Sequence, residues 1–427
     1  MKVLAVVLSA TAVVLAAGCS AGPAQQVAPG SHGPSSPPAP GVTSSPAAIG
    51  VTRADGVPGC TTATAHARSL GKAGTSLESV PGNPFGVVVT SDGRWSFVSL
   101  VNSVAVLRSG GQAVPSLIRT IRLPGHGPAL GETLTRDGRY LLVADGSGPE
   151  VIDVAAAESG SPHAVLGSLT SKGDGAIEVA LSADDRYAFA SIEGGRNIAV
   201  YSLQRALASG FGPSDFIGDI PVGLDPVGMA VSPDGQWLYA TSEFAPGARR
   251  SSRGGLGGQG GHRGQGTLQV ISIRRAETDP GRSVVTTVSA GCQPIRVITS
   301  ADGSTVWVTD RASDALLAFS AAMLRTSPAR SLIAKVPVGE APVGLALVRN
   351  GTRIVVADSN RYHAPGASSS LAVVNVAAAL AGRPALLGYL RAGGFPRQMA
   401  LEPAGRTLLV ANYNSRQLES VNLADLP

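Results

Sequence analysis

Several absences bound the reading of this chain. The apolar run from Val3 to Ala17 is shorter than the roughly 20 residues that a spanning helix needs, so it reads as a secretory signal and not as a membrane anchor by itself. Only three cysteines are present. The six histidines are scattered, with no HxH or HExxH spacing to suggest a metal site, and no cofactor is expected. No GxSxG elbow, phosphate-binding glycine loop or dinucleotide fingerprint stands in a strand-to-helix setting. A surplus of base is also missing from the body of the chain, whatever the net charge of +5 suggests. Lys2 falls in the signal, and Arg249, Arg250, Arg253 and Arg263 sit in one loop that has no acid. The remaining bases equal the 29 acids, which argues against specific nucleic-acid binding.

What is present begins with the N-terminus. Residues 1–18 form the expected signal peptide, and Ala16-Ala17-Gly18-Cys19 resembles the bacterial lipobox, which implies that Cys19 is lipidated and tethers the chain to the extracytoplasmic face of a membrane. Ser20–Gly50 holds seven prolines and no Asp, Glu, Lys or Arg. It has too little apolar bulk to offset its ordering entropy, so residues 19–55 are expected to form a tether. Such a segment would hold a domain on the order of 30 Å from its anchor.

From residue 56 onward the chain repeats. Tight-turn pairs recur at Asp92-Gly93, Asp137-Gly138, Asp184-Asp185, Asp234-Gly235, Asp302-Gly303, Asn350-Gly351 and Ala404-Gly405. Each is preceded by a small, apolar strand (FGVVVT, LGETLT, IEVALS, VGMAVS, IRVITS, VGLALV, RQMALE) and followed by one ending FVSL, LVAD, FASI, YATS, WVTD, VVAD or LVAN. With a third strand such as Thr267–Ile273 and a fourth such as Val284–Val288, the unit is a four-stranded antiparallel sheet. Repeated at a period of roughly 40–50 residues, such sheets bury their faces only against one another, as in a propeller. These residues resemble the YVTN-type repeat of bacterial and archaeal seven-bladed propellers over about Ser76 to Leu426. The resemblance implies an all-β, seven-bladed propeller. It does not select a function, because that family includes surface-layer proteins and lactonase-like enzymes.

The last repeat stops at its third strand, so Thr75–Pro81 is expected to supply the missing outer strand and close the ring. With Cys19 set aside, Cys60 and Cys292 remain, and an exported chain favours their pairing as a strap across one face of the ring. Two insertions, the Arg- and Gly-rich Ala245–Gly266 and the shorter Ser359–Ser369, should emerge from the same face between second and third strands.

Propeller ligands bind where the inner strands open onto the channel. Six residues before each turn lie Gly86, Gly131, Glu178, Gly228, Arg296, Gly344 and Gln398. Glu178, Arg296 and Gln398, with Arg397 beside them, could hold a small polar or anionic ligand, or could close the channel as an ion pair. Asp145, Asp310, Asp358 and Asn412 end the second strands, with Glu193 and Glu243 one position further. They could bind a cation or act in acid–base chemistry, but residues of this type more often cap the following turn. His126 and His363 are the candidate rim bases. The expected function is non-catalytic binding of an envelope protein, a glycan or a small ligand by a monomeric propeller; the alternative is a lactonase-like hydrolase or lyase at the same mouth.

Overall fold

A computed structural model describes residues 50–61, 65–71, 74–109, 114–125, 127–248, 264–363 and 365–427. The expected signal, the lipidation site Cys19, most of the tether, the middle of the arginine-rich insertion and His126 lie outside these residues.

The repeats fold as expected, into seven four-stranded antiparallel sheets; strands follow chain order from the centre outward in the first six, and in the seventh for its first three strands. The inner strands are Val87–Val89, Glu132–Leu134, Ala176–Leu181, Leu224–Val231, Pro294–Thr299, Pro342–Val348 and Pro396–Leu401, in blades one to seven. Each meets the inner strand of the next blade, and the seventh meets the first, so the ring is closed. Closure is made by Thr75–Ser79, which pairs with Gln417–Asn422 as the outer strand of blade seven, Thr75 opposite Val421. No blade can bury both faces alone, and the core is a set of seams between neighbours. In one seam, Tyr239, Leu268 and Val270 of blade four pack against Val306, Leu317 and Phe319 of blade five.

Hydroxyls on the second strands tie the seams near the channel. Thr309 accepts from the Arg296 N–H at 3.0 Å and donates to the Val343 carbonyl of the next blade at 2.9 Å. Thr241 does the same between Gly228 and Ile295, at 3.0 and 2.7 Å. Where alanine replaces the hydroxyl, as at Ala144, inner strands bond directly: the Gly131 N–H donates to the Ile177 carbonyl at 2.9 Å. This close approach explains the conserved spacing of the inner-strand glycines within the chain; a Cβ on Gly228 would lie 2.3 Å from the Ile295 oxygen.

Hairpin turns share a second device. Thr90, Thr135, Ser182, Ser232 and Ser300 each donate a side-chain hydrogen bond to the turn aspartate two residues on. The carboxylate in turn accepts a backbone N–H two residues further, as Arg94 gives to Asp92 at 3.0 Å. These interactions hold the turn carboxyls below the ordinary range.

Several boundaries differ from the sequence expectation. Short helices at Val154–Ser159, Leu203–Ser209, Ile273–Ala276, Ala321–Thr326 and Val376–Leu380 follow the third strands of blades two to six. Asp153, Ser202, Ser320 and Asn375 cap four of them by accepting a backbone N–H. Blade four's outer strand runs on to Cys292, and its third begins at Gln265, so the insertion ends at Gly264. Within the residues expected to be tether, Thr52 bridges Val288 in parallel and the Ala54 N–H donates to Ser289, so contact with blade four begins before residue 55.

The Cys60–Cys292 disulfide is present, with Cα atoms 5.3 Å apart. The strap it anchors is longer than one crossing of a face. After Thr52 on blade four it bonds Asp55 to Ala329, Ala65 to Val338 and Leu70 to Tyr389, reaching blade six before entering blade seven as the closing strand. It therefore runs along the outer strands of consecutive blades.

Candidate functional site

Antiparallel order places the hairpin turns and short helices on one face and the blade-to-blade connections, with the described ends of both insertions, on the other. The second face holds the candidate mouth. Glu178, Arg296 and Gln398 come from blades three, five and seven and meet in the channel. Glu178 Oε2 accepts from Arg296 Nη1 and, at 2.7 Å, from Gln398 Nε2. Side chains of three non-adjacent blades thus bridge the channel, and the ion-pair closure is realised. Around them lies an apolar collar of Phe85, Ile177, Val227, Ile295 and Val343, completed by Leu130. These are the residues immediately before the seven aligned positions; the seventh is Arg397.

Arg397 breaks the collar. Its guanidinium lies 4.0 Å from the centre of the Phe85 ring, 5.2 Å from Phe395 and 5.4 Å from Tyr413. Phe395 and Tyr413 meet edge to face at 6.0 Å. Arg296 approaches the same Phe85 ring at 5.6 Å. Burial and the neighbouring Arg397 charge pull Arg296 down to about 9, and burial followed by Arg361 does the same to Arg397.

Further out, Arg311 Nη2 donates to Glu243 Oε2 at 2.6 Å, with both side chains buried. Burial works against the Arg311 charge, but Glu243, Tyr362 and Glu193 together outweigh it and hold the pKa above its ordinary value. Tyr362, from the blade-six insertion, donates to Gln293 Oε1 at 2.8 Å. Glu193 is raised by burial first and by Glu243 second. Arg361 sits 6.0 Å from Phe395 and is lowered by burial and by Arg311.

Backbone strain is concentrated here as well. Asp225, Gln293, Ala341 and Phe395 adopt φ of 54°, 55°, 53° and 57°, in the left-handed region that residues with a side chain seldom enter. Each directly precedes a proline, which opens the inner strand of blades five to seven and is the third residue of that of blade four. Strain of this kind persists where surrounding contacts over-determine it, as around Phe395 and Gln293.

The rim carboxylates have a task beyond the one expected. They hold the connection entering their own blade, and Asp310 also takes a side-chain hydrogen bond from Ser313 in the turn that follows it. Asp310 accepts the Cys292 N–H at 2.7 Å, and Asp145 the Gly127 N–H at 2.8 Å. Asp358 accepts from Ser370 at 3.1 Å and also from the Gly339 backbone. Asn412 donates to Glu419 at 2.7 Å, which accepts the Gly393 N–H. A Cβ on Gly291 or Gly339 would fall within 2.4 Å of the Asp310 or Asp358 carboxyl, so glycine is required at these contacts. Burial raises Asp310 to about 8 and Asp358 well above its ordinary value. Among the described residues no group of three or more His, Cys, Asp and Glu is placed to hold a metal ion. His363 is exposed.

The sequence therefore located Glu178, Arg296, Arg397 and Gln398 together at the mouth, but missed Phe85, Phe395, Tyr413, Arg311, Arg361 and Gln293. A signal for the aromatics was available: they make up 4% of the chain, yet three converge at one blade seam.

The fold defines the class, a seven-bladed propeller. No family model matches the chain, and no curated protein is significantly similar to it. Solved structures do resemble it. Hydrazine synthase of Kuenenia stuttgartiensis superposes with a TM-score of 0.62 at 17% identity, covering 82% of this chain and 98% of that one. A chain of a mitotic checkpoint complex gives 0.61 at 13% identity, with 84% and 96% covered. At these identities the likeness is one of fold.

Proposed function

We propose that this is a lipid-anchored, extracytoplasmic propeller that binds a ligand at its channel mouth without transforming it. The observation that carries the reading is the state of the mouth arginines. Arg296 is 7% exposed, and its Nε and Nη2 have no hydrogen-bond partner; Arg397 Nε is also buried and unpartnered. Buried guanidinium donors left unmet are costly, so in a native fold they are met by a water, an ion or a ligand, and the convergence of two arginines at the mouth favours a ligand here. The Glu178 bridge crosses the channel at the mouth end of the inner strands, so on this reading access is from the mouth face. Lipidation at Cys19 rests on the N-terminal sequence, and the disulfide suits a compartment outside the cytoplasm.

Catalysis is not favoured, because Asp310 and Asp358 hold backbone connections, Glu243 is paired with Arg311, and Glu178 at the mouth is bonded to Arg296 and Gln398. The test is a thermal-shift screen of the full chain against envelope glycans, sugar lactones and small organic acids, beside Arg397→Ala. A ligand that stabilises the parent and not the variant supports the mouth site. Turnover of a bound lactone would replace binding with catalysis, and ligands that stabilise both proteins equally would refute the site.

A further inference from the structure

The proposed mouth site can be given a ligand class, an inference that rests on the preceding reading. Arg296 uses Nη1 for Glu178. Its Nε and Nη2, both without a partner, are the two donors on the remaining long edge of the guanidinium. Two parallel N–H groups on that edge match the two oxygens of a carboxylate, the geometry arginine recognises best. Arg397 presents a third unmet donor, Nε, and its guanidinium lies against the same Phe85 ring as that of Arg296. We infer that the mouth binds a small carboxylate monoanion, its oxygens on the Arg296 edge, with Phe85 turning aside to admit it and Arg397 completing the contact.

Three features select this class. A neutral sugar or amide would bring an acceptor but no charge, leaving Glu178, bonded to Arg296, as the counter-charge for both Arg296 and the half-buried Arg397. A phosphate dianion would lie beside the Glu178 carboxylate, whose Oε2 already serves Arg296 and Gln398, with Glu193 and Glu243 further out. One negative charge answers the donors with less repulsion. The walls available to the rest of the ligand are the faces of Phe395 and Tyr413 and the collar aliphatics, so an apolar or ring-bearing acid fits better than a highly hydrated one.

Calorimetric titration of the full chain with benzoate, glucuronate, benzamide, glucose and inorganic phosphate tests this. Arg296→Lys keeps the charge opposite Glu178 but removes the two-donor edge. Benzoate or glucuronate should bind, the matched neutral compound and phosphate should bind at least about tenfold more weakly, and Arg296→Lys should weaken carboxylate binding by about 10- to 100-fold. Unfolding of the variant measured in parallel separates a folding defect from a binding one, and Phe85→Leu, which opens the collar, should retain or tighten carboxylate binding. If benzamide or glucose binds as well as its acid and Arg397→Ala abolishes it, the mouth site stands and the carboxylate class falls. If phosphate binds best, the class is equally overturned. If none of the five binds, both the carboxylate class and the small-ligand reading of the mouth fail.

Discussion

The buried rim acids make the stability of this fold depend on pH in a direction opposite to that of most exposed carboxylates. Asp310 ordinarily titrates near 3.8, and burial against the Cys292 connection raises it to about 8, with Asp314 adding repulsion and Lys335 a small attraction. Its folded pKa lies above its unfolded one, so the native state retains a proton that the unfolded chain has released. The associated stability is complete below about pH 4 and is lost as pH rises toward 8. Within that window each such group withdraws about 1.4 kcal/mol per pH unit. From pH 5 to 7 Asp310 alone therefore removes roughly 2–3 kcal/mol. Glu132, buried at the seam of blades one and two and raised to about 8, adds the same trend. Guanidinium unfolding at pH 5, 6, 7 and 8 reads the slope. Asp310→Asn keeps an oxygen for the Cys292 N–H and removes the titration, so the slope should fall by about one proton in the variant. A parent whose stability is flat or rises from pH 5 to 8, or a variant with an unchanged slope, would refute the reasoning.

Other consequences follow from the same contacts. The five turn aspartates have lowered pKa values, so their contribution is present above about pH 4 and should be lost in acid; unfolding followed from pH 4 to 2 should steepen, and Asp234→Asn should blunt it. Cys292→Ser, or reduction, opens a loop of 232 residues and should cost roughly 2–5 kcal/mol. Hydrogen exchange should then speed up at Thr52 and Ala54, whereas unchanged protection would show that the strap holds without the bond. Thr309→Val leaves the Arg296 N–H and Val343 carbonyl unmet and should destabilise by about 1–3 kcal/mol in chemical denaturation. Gly228→Ala should cost about as much by forcing the inner strands of blades four and five apart, and the matched Gly351→Ala, with no atom near its Cβ but a φ of 77°, should cost about 1 kcal/mol through strain alone.

The blades were legible in the sequence because their information is local. Asp-Gly turns, period-two strands and a truncated last repeat each constrain only neighbouring residues, and together they led to the closing strand at Thr75–Ser79. The pairing of Cys60 with Cys292 was legible for another reason, since only two cysteines remained to pair. The helices escaped because VAAAES and AAMLRT are too short to establish a 3.6-residue period, and their signal is a single capping residue at the end of a strand. The second task of the rim aspartates escaped because a side chain at a strand end can serve the turn after it, a connection some 18 residues before it, or both as Asp310 does, and spacing does not distinguish these. At the mouth, alignment of the turns revealed order around the ring, and so Glu178, Arg296 and Gln398. It could not reveal that Phe395, set in a left-handed conformation before Pro396, turns its ring toward Arg397. That contact depends on backbone geometry between blades.

The central claim, that the channel mouth is where this propeller meets its ligand, is tested most directly by hydrogen exchange on the full chain with and without the best-binding compound from the screen. Binding at the mouth predicts slowed exchange confined to the entry segments around Gly86, Glu178, Arg296 and Gly393–Gln398, with the outer strands unchanged. Protection on the outer strands or at the hairpin face, with the entry segments unaffected, would contradict it.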